Sequence, residues 1–216
     1  MTERGCFVVL EGGEGAGKTT QLRLLEEWMR ARSIPFTSAR EPGGTHVGEA
    51  IREILLERDE LSMPASTELL LMLAARAAFV EEVVGPALSR GEVMLADRFQ
   101  LSTFVYQGLA RGLGLEQTRE LNAFATGGLS PDLTLVLDVT AEEAERRQRM
   151  EGRKADRIEG EGRSFMERVR EGYRELAAGD PSVVLVPGGD APEKVQERLR
   201  TELEERLPEP FQPAQG

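Results

Sequence analysis

Residues 12–19 read GGEGAGKT, and the fold is decided by how this stretch is read. It fits the phosphate-loop pattern GxxxxGK[ST], with Gly12, Gly17, Lys18 and Thr19 at the four fixed positions. The pattern carries meaning only where a strand enters it and a helix leaves it. Cys6 to Glu11 (CFVVLE) is an apolar, β-branched run suited to a strand buried on both faces. Beyond Thr20, the residues Leu22, Leu25, Trp28 and Met29 recur at three- and four-residue steps and form one apolar helix face. A glycine cluster alone is read as a tight turn, yet a turn leaves the lysine and hydroxyl after the last glycine unexplained. Backbone N–H groups of such a loop and the first helical turn make a nest for polyphosphate oxygens, with Lys18 reaching the β- and γ-phosphates and the Thr19 hydroxyl facing Mg²⁺.

With 216 residues the chain is long enough for one α/β domain with a good core and short for two. Its 27 Lys and Arg face 38 Asp and Glu, a net charge of −11, which disfavours non-specific binding of a nucleic-acid polymer. Phosphate chemistry is therefore expected on small nucleotides held by local clusters of cations. Cys6 is the only cysteine, so an internal disulfide and a cysteine-cluster metal site are excluded; its place in a strand makes it a small core residue. Glu3 and Arg4 precede only a short apolar run, unlike a signal peptide, and no apolar stretch approaches the ~18 residues that span a bilayer. The reading is of a soluble, cytoplasmic protein. His46, the only histidine, follows a glycine-rich turn and is read as a surface or cap residue.

Further along, Phe36–Arg40 reads as a second strand, followed by the turn EPGGT. Val47 to Leu56 has helical spacing, and Pro64 and Ser66 introduce a longer helix whose buried face is marked by Leu69, Leu70, Leu73 and Ala77. Arg76 stands inside that apolar segment, either snorkelling or serving as a buried donor to a ligand. Val93–Asp97 (VMLAD) is four apolar residues ending in an acid, the way a strand delivers a carboxylate to Mg²⁺, and Arg98 leaves the same strand end. Leu133 to Asp138 and Val183 to Val186 complete five candidate strands alternating with helical segments, which predicts a parallel sheet with helices on both faces. The region after the fourth strand is highly charged. Glu142 and Arg146, Glu143 and Arg147, and Glu145 and Arg149 make i,i+4 pairs, while Gly152, Gly160 and Gly162 interrupt the pattern around Arg153, Lys154 and Arg157. Several cations in one such interruption predict a phosphate-closing lid at about 149–163. The domain is expected to run over 1–207, with 208–216 a flexible C-terminal tail.

The chain resembles the thymidylate kinase family, bacterial branch, through LEGGEGAGKTTQ at the loop, REPGGT at 40–45, LAAR at 73–76, ADRFQLSTFVYQG at 96–108 and DRIE at 156–159. The resemblance implies a P-loop NTPase three-layer sandwich and a homodimer in which Mg²⁺-ATP phosphorylates dTMP to dTDP. Carried over residue by residue, Gly12, Gly13, Glu14, Gly15, Ala16, Gly17, Lys18, Thr19 and Thr20 form the ATP-binding segment, while Thr19 and Asp97 place Mg²⁺. Glu14 matches the acid that contacts the acceptor sugar. Arg98 and Arg52 match grips on the 5′-phosphate, and Arg76 matches a donor to the thymine edge. Thr103, Tyr106 and Gln107 lie where the family reads the base and excludes a ribose hydroxyl. Met72 stands where an aromatic ring commonly stacks on the base, and Ala78 and Phe79 replace residues that are often polar. The loop holds no arginine, so the resemblance assigns the catalytic cation beside Lys18 and Arg98 to the lid: Arg153 first, with Arg149 and Lys154 behind it. A GTPase-type switch fails because Asn122, the only asparagine, is followed by Ala123 and forms no NKxD motif. Another nucleoside monophosphate kinase is the alternative, distinguished by acceptor preference, and an assembly ATPase is the outsider.

Overall fold

The computed structural model describes residues 4–58, 61–151 and 157–211. In chain order the elements are β1 (Phe7–Gly12), α1 (Lys18–Ala31), β2 (Phe36–Arg40), α2 (His46–Leu56), α3 (Ala65–Phe79), α4 (Gly85–Ser89), β3 (Val93–Asp97), α5 (Gln100–Thr103), α6 (Leu115–Thr126), β4 (Leu133–Asp138), α7 (Ala141–Glu151), α8 (Arg163–Ala178), β5 (Val183–Pro187), α9 (Pro192–Arg206) and α10 (Pro208–Phe211). Two π-helical stretches, Val80–Val84 and Phe104–Ala110, continue α3 and α5.

All strand pairs are parallel, in the order β2-β3-β1-β4-β5. A parallel sheet needs crossovers, and the helices that make them cover both faces. In β1 the alternation of side chains divides the core. Val8 and Leu10 face the layer of Leu22, Leu25 and Leu199 from α1 and α9, while Phe7 and Val9 face Phe79 and Phe99 on the other side. Burial on both faces explains the continuous apolar run read as a strand.

The register sets Leu10 opposite Asp97, so the phosphate loop and the carboxyl end of β3 leave the sheet side by side. Arg98 N–H donates to Leu10 O at 3.0 Å and Glu41 N–H to Asp97 O at 2.9 Å, which brings the segment after β2 to the same edge. Open parallel sheets bind ligands at this edge.

Local expectations need revision at the tail, in α7 and in α3, where Leu70 and Ala77, expected on the buried face, are exposed. Phe211, inside the expected flexible tail, is buried, stacks on Trp28 with centroids 5.7 Å apart, and its carbonyl accepts from Arg32. Its aromatic area outweighs the fraying tendency of the prolines around it. His46 is exposed at the start of α2, a surface residue as expected, and the cap is Thr45, whose hydroxyl accepts from Gly48 N–H at 2.9 Å. In α7 Arg147 pairs with Glu143 as expected, while Arg146 also pairs with Glu143 rather than with Glu142.

Candidate active site

Lys18 opens α1 but turns back on its own loop, its Nζ donating to Gly12 O at 3.1 Å and Gly13 O at 3.2 Å. Burial, then the charge of Arg98, push its pKa down; Glu14, Asp97 and Glu11 oppose them. The N-terminus of α1 is preceded by Gly17 in the left-handed region and has no side-chain cap, so its first N–H groups face outward as an anion site. Gly15 also has positive φ, and a Cβ there would meet Ala144 O at 2.6 Å, because α7 lies directly on the loop. From α7, Arg147 donates to Ala16 O at 3.3 Å and to Gly188 O at 2.9 Å. These groups, with Gly17, Thr20 and Asp190, line a cavity of about 370 Å³.

On the opposite side of the loop is a second cavity of about 330 Å³. Glu14, Lys18, Thr19, Arg52, Met72, Arg76, Asp97, Arg98, Thr103, Tyr106 and Gln107 all line it, so the residues singled out from separate stretches of sequence meet in one place. Thr103, Tyr106 and Gln107 are three and four positions apart where α5 passes into its π-helical continuation, and so form one wall. Arg52 also donates to Pro42 O at 2.9 Å. Arg153 and Lys154 lie outside the described residues; of the predicted lid at about 149–163, Arg149 falls in the last turn of α7 and the described part resumes at Arg157.

Ionic pairing organises the cavity floor. Arg98 has a φ of 70° and pairs with Glu14, while its Nη1 donates to Ser102 Oγ at 3.0 Å and Tyr173 Oη at 3.3 Å. Behind it Glu11, fully buried at the end of β1, accepts from Phe99 N–H, Ser102 N–H, Ser102 Oγ and Tyr173 Oη at 2.6–3.0 Å. That carboxylate ties the chain after Asp97 to the strand that feeds the loop. Among the described residues three buried side-chain atoms have no hydrogen-bond partner, Asp97 Oδ1, Tyr106 Oη and Thr126 Oγ1, and the first two belong to residues lining this cavity. Burial drives the Tyr106 phenol pKa up, so it stays protonated. Atoms left orphaned at a cavity wall are expected to find partners in what the cavity binds.

Arg76 does not snorkel. Its side chain is buried, its Nε and Nη2 fork onto Glu41 at 2.7 and 2.9 Å, Nη1 donates to Asn122 Oδ1 at 2.8 Å, and Nη2 also reaches Phe99 O at 3.2 Å. Of five guanidinium N–H groups this leaves one on Nη1. Burial pushes the Glu41 carboxyl up and Arg76 pulls it back down. Glu41, Glu11, Glu68, Asn122, Ser102, Tyr173 and Arg147 were not singled out from the sequence as site residues. Glu11 is the one with a local signal, an acid ending an otherwise apolar strand. The others become visible only when distant segments are brought together.

Cys6 is partly buried, and its thiol pKa is pushed up to about 12, by burial first and then by Asp132, in keeping with a packing role. Among the described residues no helix is long and apolar enough to cross a membrane.

A parallel sheet whose first strand feeds a phosphate loop, a neighbouring strand ending in a carboxylate, and a cavity on either side of the loop define a P-loop nucleotide kinase. The thymidylate kinase family model matches residues 10–199. The chain belongs to the thymidylate kinase family. It is 50% identical over 186 residues to a thymidylate kinase of Caldanaerobacter subterraneus subsp. tengcongensis, covering 86% of this chain and 88% of that one. To a thymidylate kinase of Desulforudis audaxviator it is 47% identical, covering 94% and 93%. The crystal structure of thymidylate kinase from Ehrlichia chaffeensis superposes with a TM-score of 0.73 at 27% identity, covering 93% of this chain and 99% of that one.

Proposed function

We propose that the protein transfers the γ-phosphoryl group of Mg²⁺-ATP to dTMP, giving dTDP. The observation that carries this reading is convergence: Glu14, Arg52, Met72, Arg76, Arg98, Thr103, Tyr106 and Gln107 line one cavity that also contains Lys18. ATP takes the phosphate loop, with its base on the side of Arg147 and Gly188, and dTMP takes the cavity on the other side.

Phosphoryl transfer asks the protein for in-line positioning and charge neutralisation rather than covalent chemistry. Arg98 and Arg52 hold the acceptor phosphate, which already carries the attacking oxygen, so no general base is required. Glu14 moves from its pair with Arg98 to the sugar. Met72 packs on the base, the remaining Arg76 N–H meets its edge, and Thr103, Tyr106 and Gln107 shape the wall that reads the base and excludes a ribose hydroxyl. Lys18 and a lid arginine, Arg153 first, neutralise the transferring group. Asp97 and Thr19 suit Mg²⁺, because a buried carboxylate oxygen without a donor lines the same cavity as the loop hydroxyl. The ion supplies charge neutralisation across the phosphates when bound.

A homodimer fits the surface. Val47 and Ile54 on α2, Leu70 on α3 and Phe124 on α6 are exposed apolar side chains on neighbouring helices, and Phe124 is 91% exposed. A single, partly buried cysteine and the small-nucleotide substrates suit a cytoplasmic enzyme.

A coupled ADP-release assay with Mg²⁺-ATP and dTMP, dUMP, dCMP, dGMP, AMP and UMP tests the reading. Strong preference for dTMP is expected. Preference for another monophosphate overturns the acceptor assignment, and ATP hydrolysis indifferent to all acceptors overturns the kinase reading.

A further inference from the structure

One buried carboxylate beside the acceptor cavity has no part in phosphoryl transfer. Glu68, in the first turn of α3, is 1% exposed and yet accepts four hydrogen bonds from three side chains. Its Oε1 receives Gln107 Nε2 at 2.8 Å and Arg111 Nε at 2.7 Å; its Oε2 receives Arg111 Nη2 at 3.1 Å and Arg157 Nη2 at 2.5 Å. Arg157 is fixed in turn on Leu55 O at 2.8 Å, and Arg111 on Glu161 at 2.9 Å. A carboxylate forked by one arginine and capped by another has little freedom to turn.

Gln107 lines the acceptor cavity, and its amide is the only member of this cluster that is uncharged. A free glutamine can present either its carbonyl or its NH₂ group to a ligand, because the two ends are nearly the same size. Here the choice is made by Glu68. An ionised carboxylate only accepts, so the NH₂ end must face it, and turning the amide over would set two acceptors against each other. Among the described residues nothing donates to Gln107 Oε1, which is left as the atom for a ligand.

We infer that Glu68 is a positioning residue for base selection: by holding Gln107 Nε2, it makes the cavity wall present an acceptor, Oε1, to the base. An acceptor pairs with the imide N3–H of a pyrimidine-2,4-dione such as thymine and opposes the bare N3 of cytosine. Glu68 thus acts against cytosine nucleotides without touching them. The inference rests on the dTMP reading given above.

The test compares kcat/KM for dTMP and dCMP in the wild-type enzyme and in Glu68→Gln. A carboxamide at 68 can accept or donate, so Gln107 is freed to turn, and the preference for dTMP over dCMP is expected to fall about tenfold, with KM for ATP unchanged. A purely structural role lowers both acceptors by the same factor; an unchanged ratio in a folded variant overturns the inference. Should Glu68→Gln fail to fold, Glu68→Asp keeps the charge between Arg111 and Arg157 but shortens the arm to Gln107. It should lower the same ratio, and an unchanged ratio there is equally decisive. Absence of dTMP turnover in the wild-type enzyme overturns the acceptor assignment instead, and that result appears before any substitution is made.

Discussion

Arg98 carries the charge that an acceptor phosphate would meet, and in the free protein Glu14 already neutralises it. Arg98→Ala should therefore raise KM for dTMP much more than KM for ATP, measured by steady-state kinetics with each substrate varied. Arg153→Ala should act differently, lowering kcat on the order of 10³-fold by analogy with the loss of an arginine finger while leaving KM for dTMP nearly unchanged. If kcat is unaffected, that role passes to Arg149 or Lys154. Arg157 is already engaged by Glu68 and Leu55. Arg76 was legible as an anomaly, a cation in an apolar helix, but its partner was not. Glu41 lies 35 positions away, in a turn whose sequence reads as punctuation. Glu41→Gln leaves Arg76 buried with half its pairing, so urea denaturation should show a loss of about 3 kcal/mol, the cost of breaking one side of a buried ion pair.

At the scale of elements, the spacing of unlike charges in α7 is that of a helix laced with ion pairs, and Arg146 and Arg147 both pair with Glu143. What the pattern could not show is that the helix lies on the phosphate loop, with Ala144 against Gly15 and Arg147 bonded to Ala16 O. Arg147→Ala should raise KM for ATP about tenfold, the worth of one charge-assisted hydrogen bond, with KM for dTMP unaffected. Helix α3 has a pH signature of its own. Burial pushes the Glu68 carboxyl up, but hydrogen bonds from Arg111, Gln107 and Arg157 together outweigh it and hold the pKa below the ordinary 4.5. A depressed carboxylate stabilises the fold fully above its unfolded pKa, and that contribution fades as pH falls through the lower folded value. Urea midpoints should therefore drop more steeply below about pH 4.5 in the wild-type protein than in Glu68→Gln, where no carboxylate remains to be protonated at this position.

At the scale of the whole molecule, the exposed apolar side chains of α2, α3 and α6 set the expected assembly. Light scattering should report a dimer, and Phe124→Glu should shift it toward monomer by placing a charge at a side chain now 91% exposed. The sequence by itself determined the architecture. Buried strands, turn residues and the glycine-rich loop are local signals, and the five strands fell close to where the alternation of patterns placed them, β1 displaced by one residue and β5 longer by one. The phosphate loop and the blocks around residues 40–45, 73–76 and 96–108, recognisable without coordinates, also supplied many of the side chains that line the cavity, although Glu41, Phe99 and Ser102 line it without having been expected there. Only the tertiary structure decided how those side chains are held. Glu11, Glu41 and Glu68 each accept hydrogen bonds from residues far away in the chain, and their burial is tolerable only because those donors arrive. A sequence records that a residue is a glutamate; whether it is a solvated surface charge or the fixed anion that orients an arginine or an amide depends on which donors the packing of the sheet and its helices brings within 3 Å.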